Sequence, residues 1–216
     1  MSPSRSRKRR QRKNKSNRKI ILIVALLAVA VTIIVGYYML GNNNPNENVP
    51  NGNTTSQMKV LFETSMGNVI IQLRDDRPIT TDNFKNLTLN GVYDNTIFHR
   101  VISNFMIQGG DYPNIPTILD EGLLSDNNRN DRGTIAMANR GANTGTSQFF
   151  INVVDNNLLD KPNPEMGISG HPVFGEVIQG MNVVDAISLV LTDGDPPAGN
   201  NKPLEDVVLI RATLIE

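Results

Sequence analysis

The chain has 216 residues with no cysteine and no tryptophan, so it has room for one ordinary domain plus appendages, and disulfide support and thiolate chemistry are excluded. Its 21 basic and 21 acidic residues balance, but ten of the basic ones fall between Arg5 and Lys19 and no acid precedes Glu47. The front is a cation, and the rest, with 11 basic against 21 acidic residues, carries a net charge of −10.

Residues 1–19 hold Arg5, Arg7, Lys8, Arg9, Arg10, Arg12, Lys13, Lys15, Arg18 and Lys19 among serines and asparagines. Such a run buries no apolar surface and is expected to be a disordered arm. An arm for nucleic acid is the rival reading, since phosphates attract such a block, but the apolar stretch directly after it argues for a membrane instead. From Ile20 to Leu40 there are 21 residues without a charge. As a helix rising about 1.5 Å per residue, this stretch matches the hydrocarbon core of a bilayer, with Tyr37 and Tyr38 at the interface. It predicts a transmembrane helix.

Positive charge before a span keeps that side in the cytoplasm, so everything after Leu40 is expected outside. The exit Tyr37-Tyr38-Met39-Leu40-Gly41 makes a poor cleavage site, which favours an uncleaved signal anchor over a removed signal peptide. Residues 41–57, rich in asparagine, glycine and proline, predict a flexible linker. Asn53-Thr54-Thr55 and Asn86-Leu87-Thr88 fit the N-glycosylation acceptor pattern.

A folded domain is expected over residues 58–216. Lys59 to Thr64 and Asn68 to Leu73 flank Ser65-Met66-Gly67 and predict a hairpin. Pro78-Ile79-Thr80-Thr81-Asp82 predicts a helix start capped by a hydroxyl or carboxylate, with Phe84 and Leu87 facing the core and Gly91 as the stop. Tyr93 to Asp111 and Gly133 to Val154 are rich in β-formers. Asn182 to Leu191 predicts a second amphipathic helix through Val183, Val184, Ile187 and Leu191. Leu204 to Ile215 predicts a closing strand in which Val208, Ile210, Ala212 and Leu214 share a face. Together these runs indicate a mainly β domain with two helices.

Five motifs carry the chemistry. Phe98-His99-Arg100-Val101-Ile102 with Phe105-Met106-Ile107-Gln108-Gly109-Gly110-Asp111 comes first. Gly133-Thr134-Ile135-Ala136-Met137-Ala138-Asn139, Ser147-Gln148-Phe149-Phe150-Ile151, Leu159-Asp160 and His171-Pro172-Val173-Phe174-Gly175 follow. They set one arginine and two glutamines among aromatic and thioether side chains, the make-up of an apolar pocket with a few aimed polar groups. In this order, over residues 58–216, they resemble the cyclophilin family of peptidyl-prolyl cis-trans isomerases.

The resemblance implies an eight-stranded antiparallel barrel capped by two helices, with the site on its outer face, acting as a monomer without metal or cofactor. It implies Arg100, Phe105 and Gln148 as catalytic residues. Met106, Phe150 and Leu159 would complete a proline pocket with Phe105, and His171 would stand at its edge. Gln108 would lie near the substrate carbonyl and the arginine, while Ala138 and Asn139 would line the groove for the peptide backbone. His99, by strand alternation, is expected to point away from Arg100 as a core histidine. The expected partners are proline-containing peptides and unfolded or exported proteins.

The chain departs from the family in three places. Leu158 stands where many members carry tryptophan, which puts tight cyclosporin binding in doubt. Residues 161–170 form an extended segment beside the site, and the run from Gly110 to Gly133 is shorter than in many members. Within that run, Asp126 to Asp131 has neither the glycine nor the glutamate of a calcium loop. A hydrolase is disfavoured because Gly145-Thr146-Ser147-Gln148-Phe149 lacks the second glycine of a nucleophile elbow. A metal enzyme is disfavoured because two lone histidines give no ligand spacing. The remaining rival is a membrane-tethered module that binds proline peptides without turning them over.

Overall fold

The turn of the opening hairpin sets its register. Thr64 pairs with Gly67, so only Ser65 and Met66 separate β1 (Lys59–Thr64) from β2 (Gly67–Leu73), and Gly67 takes a φ of +130°. The structure is a computed structural model, and it describes residues 58–195 and 199–215. The arm, apolar span and linker expected over residues 1–57 lie outside these residues. Among the described residues, no helix is long and apolar enough to cross a membrane.

Seven further strands complete one antiparallel sheet. They are β3 (Thr96–Ile97), β4 (Arg100–Ile102), β5 (Met106–Gly109), β6 (Thr134–Met137), β7 (Phe149–Asn152), β8 (Val173–Gln179) and β9 (Val208–Ile215). Their spatial order is β3-β9-β1-β2-β8-β6-β7-β5-β4. The two ends of this sheet, β3 and β4, are separated in the chain only by Phe98 and His99. One short stretch therefore supplies both edges, and the sheet curls back on itself. Among the described residues the count is nine rather than eight because this stretch is interrupted. At the break the Phe98 amide donates to Val207 O at 2.9 Å, and within β4 the Val101 amide donates to Asn201 O at 2.8 Å, so neither bonds to a strand.

Alternation along each strand sorts side chains between two faces. One face carries Val60, Phe62, Ile71, Leu73, Val101, Ile107, Ile135, Phe149 and Ile151, all buried in the main core. Phe84 packs there against Phe62, Tyr93, Phe149 and Phe174, with ring centroids 4.9–6.1 Å apart. Burying each such side chain contributes about 1.5–3 kcal/mol.

Two helices close this core. α1 (Pro78–Leu89) begins with proline at its first position, where a missing N–H costs nothing. Its cap is not local. Arg77 makes no side-chain cap bond, and the Thr80 amide donates instead to the Glu121 carboxylate, 41 residues on. Phe84 is buried, Leu87 packs against the core, and Gly91 follows the helix with φ +66°. Asn86 is exposed on this helix, while Thr88 of the same acceptor pattern is buried with its hydroxyl donating to Phe84 O. Asn53, in the other acceptor pattern, lies outside the described residues.

α2 (Met181–Ser188) buries Val184 and Ile187, with Val183 partly buried against the core. It is shorter than expected. The chain leaves the helix at Leu189, and Leu191 is 78 % exposed. The face expected for β9 is also corrected. Glu63 pairs with Arg211 but Thr64 with Leu209, so Ile210 is an extra residue opposite nothing. This bulge shifts the alternation: Leu209 and Ala212 are buried while Ile210 is exposed.

Candidate active site

A second, smaller apolar cluster forms on the opposite face of the same strands. Arg100 of β4 pairs with Gln108 of β5, Gln108 with Phe150 of β7, Phe150 with Ala136 of β6, and Ala136 with Val173 of β8. Residues opposite one another in a ladder share a face, so this row runs across five strands on the outer side of the sheet. Ile102 and Met106 form the next pair on that side. Met106, Ala136, Phe150 and Val173 are buried together, with Ile102, Phe105, Ala138 and Leu159 packed around them. The apolar residues are thus gathered beside the guanidinium of Arg100, which is half-buried.

Phe105, Leu159 and His171 reach this cluster from outside the strands. Phe105 sits in the three-residue loop between β4 and β5, where Asn104 takes the left-handed conformation at φ +57°. Leu159 ends a short 3-10 turn (Asn157–Leu159), and its carbonyl accepts the His171 amide at 3.0 Å. That bond closes the base of the extended segment 161–170, whose own 3-10 turn spans Pro164–Met166. The His171 ring meets Phe150 edge-on with centroids 5.2 Å apart. Its Nδ1 lies 3.1 Å from Met137 O, and because a carbonyl only accepts, Nδ1 carries the proton.

Beside the apolar cluster lies a groove of about 440 Å³ lined in part by Gln108, Gln148, Ala138 and Asn139. Gln108 Nε2 donates to Gln148 Oε1 at 2.8 Å, and Arg100 Nη1 reaches Gln108 Oε1 at 3.4 Å. The Asn139 side chain is also committed to the extended segment: its Nδ2 donates to Gly170 O at 2.8 Å and its Oδ1 accepts the Ser169 hydroxyl at 2.6 Å. All ten residues named from the sequence therefore fall at the outer cluster or along this groove.

His99 is a correction. It lines the groove with Asp111 instead of joining the core, because it precedes β4 and the alternation of that strand does not extend to it. Its Nδ1 is buried without a hydrogen-bond partner among the described residues. Asp111, Tyr112, Arg140, Thr144 and Thr146 also line the groove and were not singled out from the sequence. For Asp111 a signal existed: it closes the same glycine-pair motif that holds Gln108.

Burial shifts the charges here. It lowers the pKa of both His99 and His171 from 6.5, opposed at His99 chiefly by Asp111 and at His171 by the bond to Met137. Burial also lowers the pKa of Arg100, but a guanidinium stays charged at any pH at which the protein works. Among the described residues, no group of three or more His, Cys, Asp or Glu side chains is placed to hold a metal ion.

The model of the cyclophilin type peptidyl-prolyl cis-trans isomerase family matches residues 59–214. The chain belongs to this family. It is 42 % identical over 164 residues to peptidyl-prolyl cis-trans isomerase B of Escherichia coli, covering 73 % of this chain and 99 % of that protein. Against peptidyl-prolyl cis-trans isomerase A of Dickeya dadantii it is 40 % identical, covering 75 % and 87 %. A crystal structure of a cyclophilin type isomerase from Cryptosporidium parvum superposes with a TM-score of 0.63 at 26 % identity, covering 74 % of this chain and 98 % of that one. The same protein in the presence of the dipeptide Ala-Pro gives 0.62, again at 26 % identity, covering 73 % and 99 %.

This cyclophilin is therefore a peptidyl-prolyl cis-trans isomerase with the mainly β, two-helix fold of its relatives. Its reaction rotates a tertiary amide over a barrier of about 18–20 kcal/mol set by conjugation between nitrogen and carbonyl. Turning the bond gives the prolyl nitrogen back its lone pair. A catalyst for this step needs an apolar seat for the ring and a donor that favours the twisted state over the planar one. No proton has to be transferred, which suits a group that never loses its own.

Proposed function

We propose that Arg100 is the donor this cyclophilin aims at the prolyl nitrogen, with Phe105, Met106, Phe150 and Leu159 seating the proline ring. The observation that carries this reading is the ladder row in which Arg100 lies on the same outer face as Phe150 and beside Met106. Gln108 and Gln148 orient the arginine and the substrate carbonyl, Ala138 and Asn139 support the peptide backbone, and His171 walls the pocket's edge. Holding the peptide part-way through its rotation lowers the barrier by orientation as well as by charge. Arg100→Ala should reduce kcat in a proline-isomerisation assay at least tenfold. Equal rates for the variant and the natural chain would remove the arginine from the mechanism.

The same proposal extends to where the domain works. Residues 20–40 anchor it in a membrane, residues 1–19 stay in the cytoplasm, and residues 41–57 tether an isomerase that faces outward. There it speeds the folding of exported or membrane proteins, whose uncatalysed proline steps last tens of seconds or more. The support is the charge segregation and the uncharged stretch of 21 residues that follows it. Protease added to intact cells should digest residues 58–216. A domain that survives there and is cut only after lysis would reverse the orientation.

A further inference from the structure

Four side chains beside the groove touch in series. Gln148 Nε2 donates to Asp111 Oδ1 at 2.8 Å, Gln108 Nε2 donates to Gln148 Oε1 at 2.8 Å, and Arg100 Nη1 donates to Gln108 Oε1 at 3.4 Å. A carboxylate only accepts, a guanidinium only donates, and each glutamine amide has one end of either kind. Two amides between a fixed acceptor and a fixed donor satisfy these three contacts in one direction alone. Reversing either of them sets donor against donor or acceptor against acceptor.

We infer that Asp111 is a positioning residue: it fixes the direction of both glutamine amides and, through them, holds the guanidinium of Arg100. The inference rests on Arg100 being the donor to the prolyl nitrogen. The two ends of the relay are unequal. The bond at Arg100 is long and weakly directing, whereas the bond at Asp111 is short and charge-assisted, the stronger kind. The anchor is thus at the carboxylate, and the arginine is the group being held.

The backbone is built to bring this carboxylate into place. Gly110 ends the run after β5 with φ +74°, and a Cβ there would lie 2.8 Å from the Phe149 ring and 2.9 Å from Ser147 O. Only glycine makes that turn, and the turn sets Asp111 against the residue between Ser147 and Phe149. Asp111 itself is exposed. A surface carboxylate paired with an amide adds little to stability, so its replacement tests position without threatening the fold.

Two routes other than the relay lead from Asp111 to the site: direct attraction to the arginine, and the charge it presents to His99. A double-mutant cycle separates them. The full chain, held in mild detergent, is assayed as the natural sequence, Asp111→Ala, Gln148→Leu, the pair of these, and Arg100→Ala. Asp111→Ala, which removes the acceptor that asparagine would keep, should lower kcat about tenfold with KM changed less than twofold, and the same change in the Gln148→Leu background should cost less than twofold. The urea midpoint of Asp111→Ala should match that of the natural chain. A kcat within twofold of natural for Asp111→Ala overturns the relay, as does an equal loss in both backgrounds, which would assign the effect to charge acting directly. Full activity in Arg100→Ala would instead sink the reading of the arginine, a result distinct from either.

Discussion

Asn130 and Asp160 are bonded twice at one oxygen: the Asn130 backbone amide donates to Asp160 Oδ1 at 2.6 Å, and its side-chain Nδ2 reaches the same atom at 3.3 Å. The pair is the centre of a larger set. Asn128 Nδ2 donates to both Asp160 O and His171 O, and Asn152 Nδ2 donates to Asn130 Oδ1. Asn156 Nδ2 donates to Asn152 Oδ1 at 2.7 Å and to Phe105 O at 2.8 Å. Phe105, Leu159 and His171 lie on three separate segments, and one polar network beneath the pocket ties their backbones together. Buried networks of this kind specify position only when every member is satisfied.

Removing the hub should therefore be costly. Asn130 is fully buried, and Asn130→Ala leaves Asn152 without that acceptor and Asp160 without one of its donors. A loss of roughly 2–4 kcal/mol is expected, read as a lower urea midpoint at constant m-value. Asn156→Ala, at a less buried position, should cost less stability and raise KM for a proline peptide more than it lowers kcat. Natural stability and KM in both variants would show that the pocket is held by other means.

Acid should weaken the fold before it reaches the carboxylates. His99 and His171 have pKa values lowered by burial from 6.5, so between their folded values and 6.5 the unfolded chain binds more protons than the folded one. Their contribution is complete above the unfolded value and is lost as pH falls through that window. Asp76 acts lower still. Its bond to Arg74, first among several causes, holds it well below its ordinary 3.8, so its contribution is present above that value and is lost only in stronger acid. The urea midpoint should fall as pH drops below 6.5, and His171→Gln should flatten part of that fall. A natural chain with no change over this range would contradict the burial assigned to both rings.

The end of α2 offers a paired test of what the sequence pattern misses. Ile187→Ala removes a fully buried side chain and should cost about 2–4 kcal/mol. Leu191→Ala, at a position that fits the same helical spacing, should change stability by no more than about 0.5 kcal/mol, because the helix has already ended. Comparable losses in the two variants would mean that Leu191 is packed after all.

These two residues show what periodicity can and cannot carry. Val184 and Ile187 were legible because spacing of three or four residues places side chains on one helical face, but spacing contains no stop signal, and Leu191 followed the rule beyond the last turn. Ile210 fails for the related reason that a single unpaired residue resets the alternation, and nothing local in Val208 to Ile215 marks it. The cap of α1 was illegible because its acceptor, Glu121, is brought in by tertiary structure. The site was far more readable. Arg100, Gln108 and Phe150 lie in motifs whose strand positions fix their face, so knowing that they form strands is enough to align them. His99 lies outside any strand, and there the same rule had nothing to act on.

Gly110 should be the least replaceable residue in the glycine pair that ends the β5 motif. At φ +74° an alanine is strained by about 1–3 kcal/mol whatever the space around it, and its Cβ would also lie 2.8 Å from the Phe149 ring. That ring cannot retreat cheaply, since Phe149 is fully buried and packs on Phe62, Phe84, Tyr93 and Phe98. Gly167 supplies the control: its φ is +68°, close to that of Gly110, but a Cβ there meets nothing within 4 Å. Gly167→Ala should carry the backbone cost alone, and Gly110→Ala should exceed it by at least about 1 kcal/mol in urea unfolding. The excess should be accompanied by a fall in kcat, because Phe149 lies between Gln148 and Phe150 and a displaced ring moves both. Equal unfolding free energies for the two alanine variants would mean that the space beside Phe149 is looser than the packing indicates.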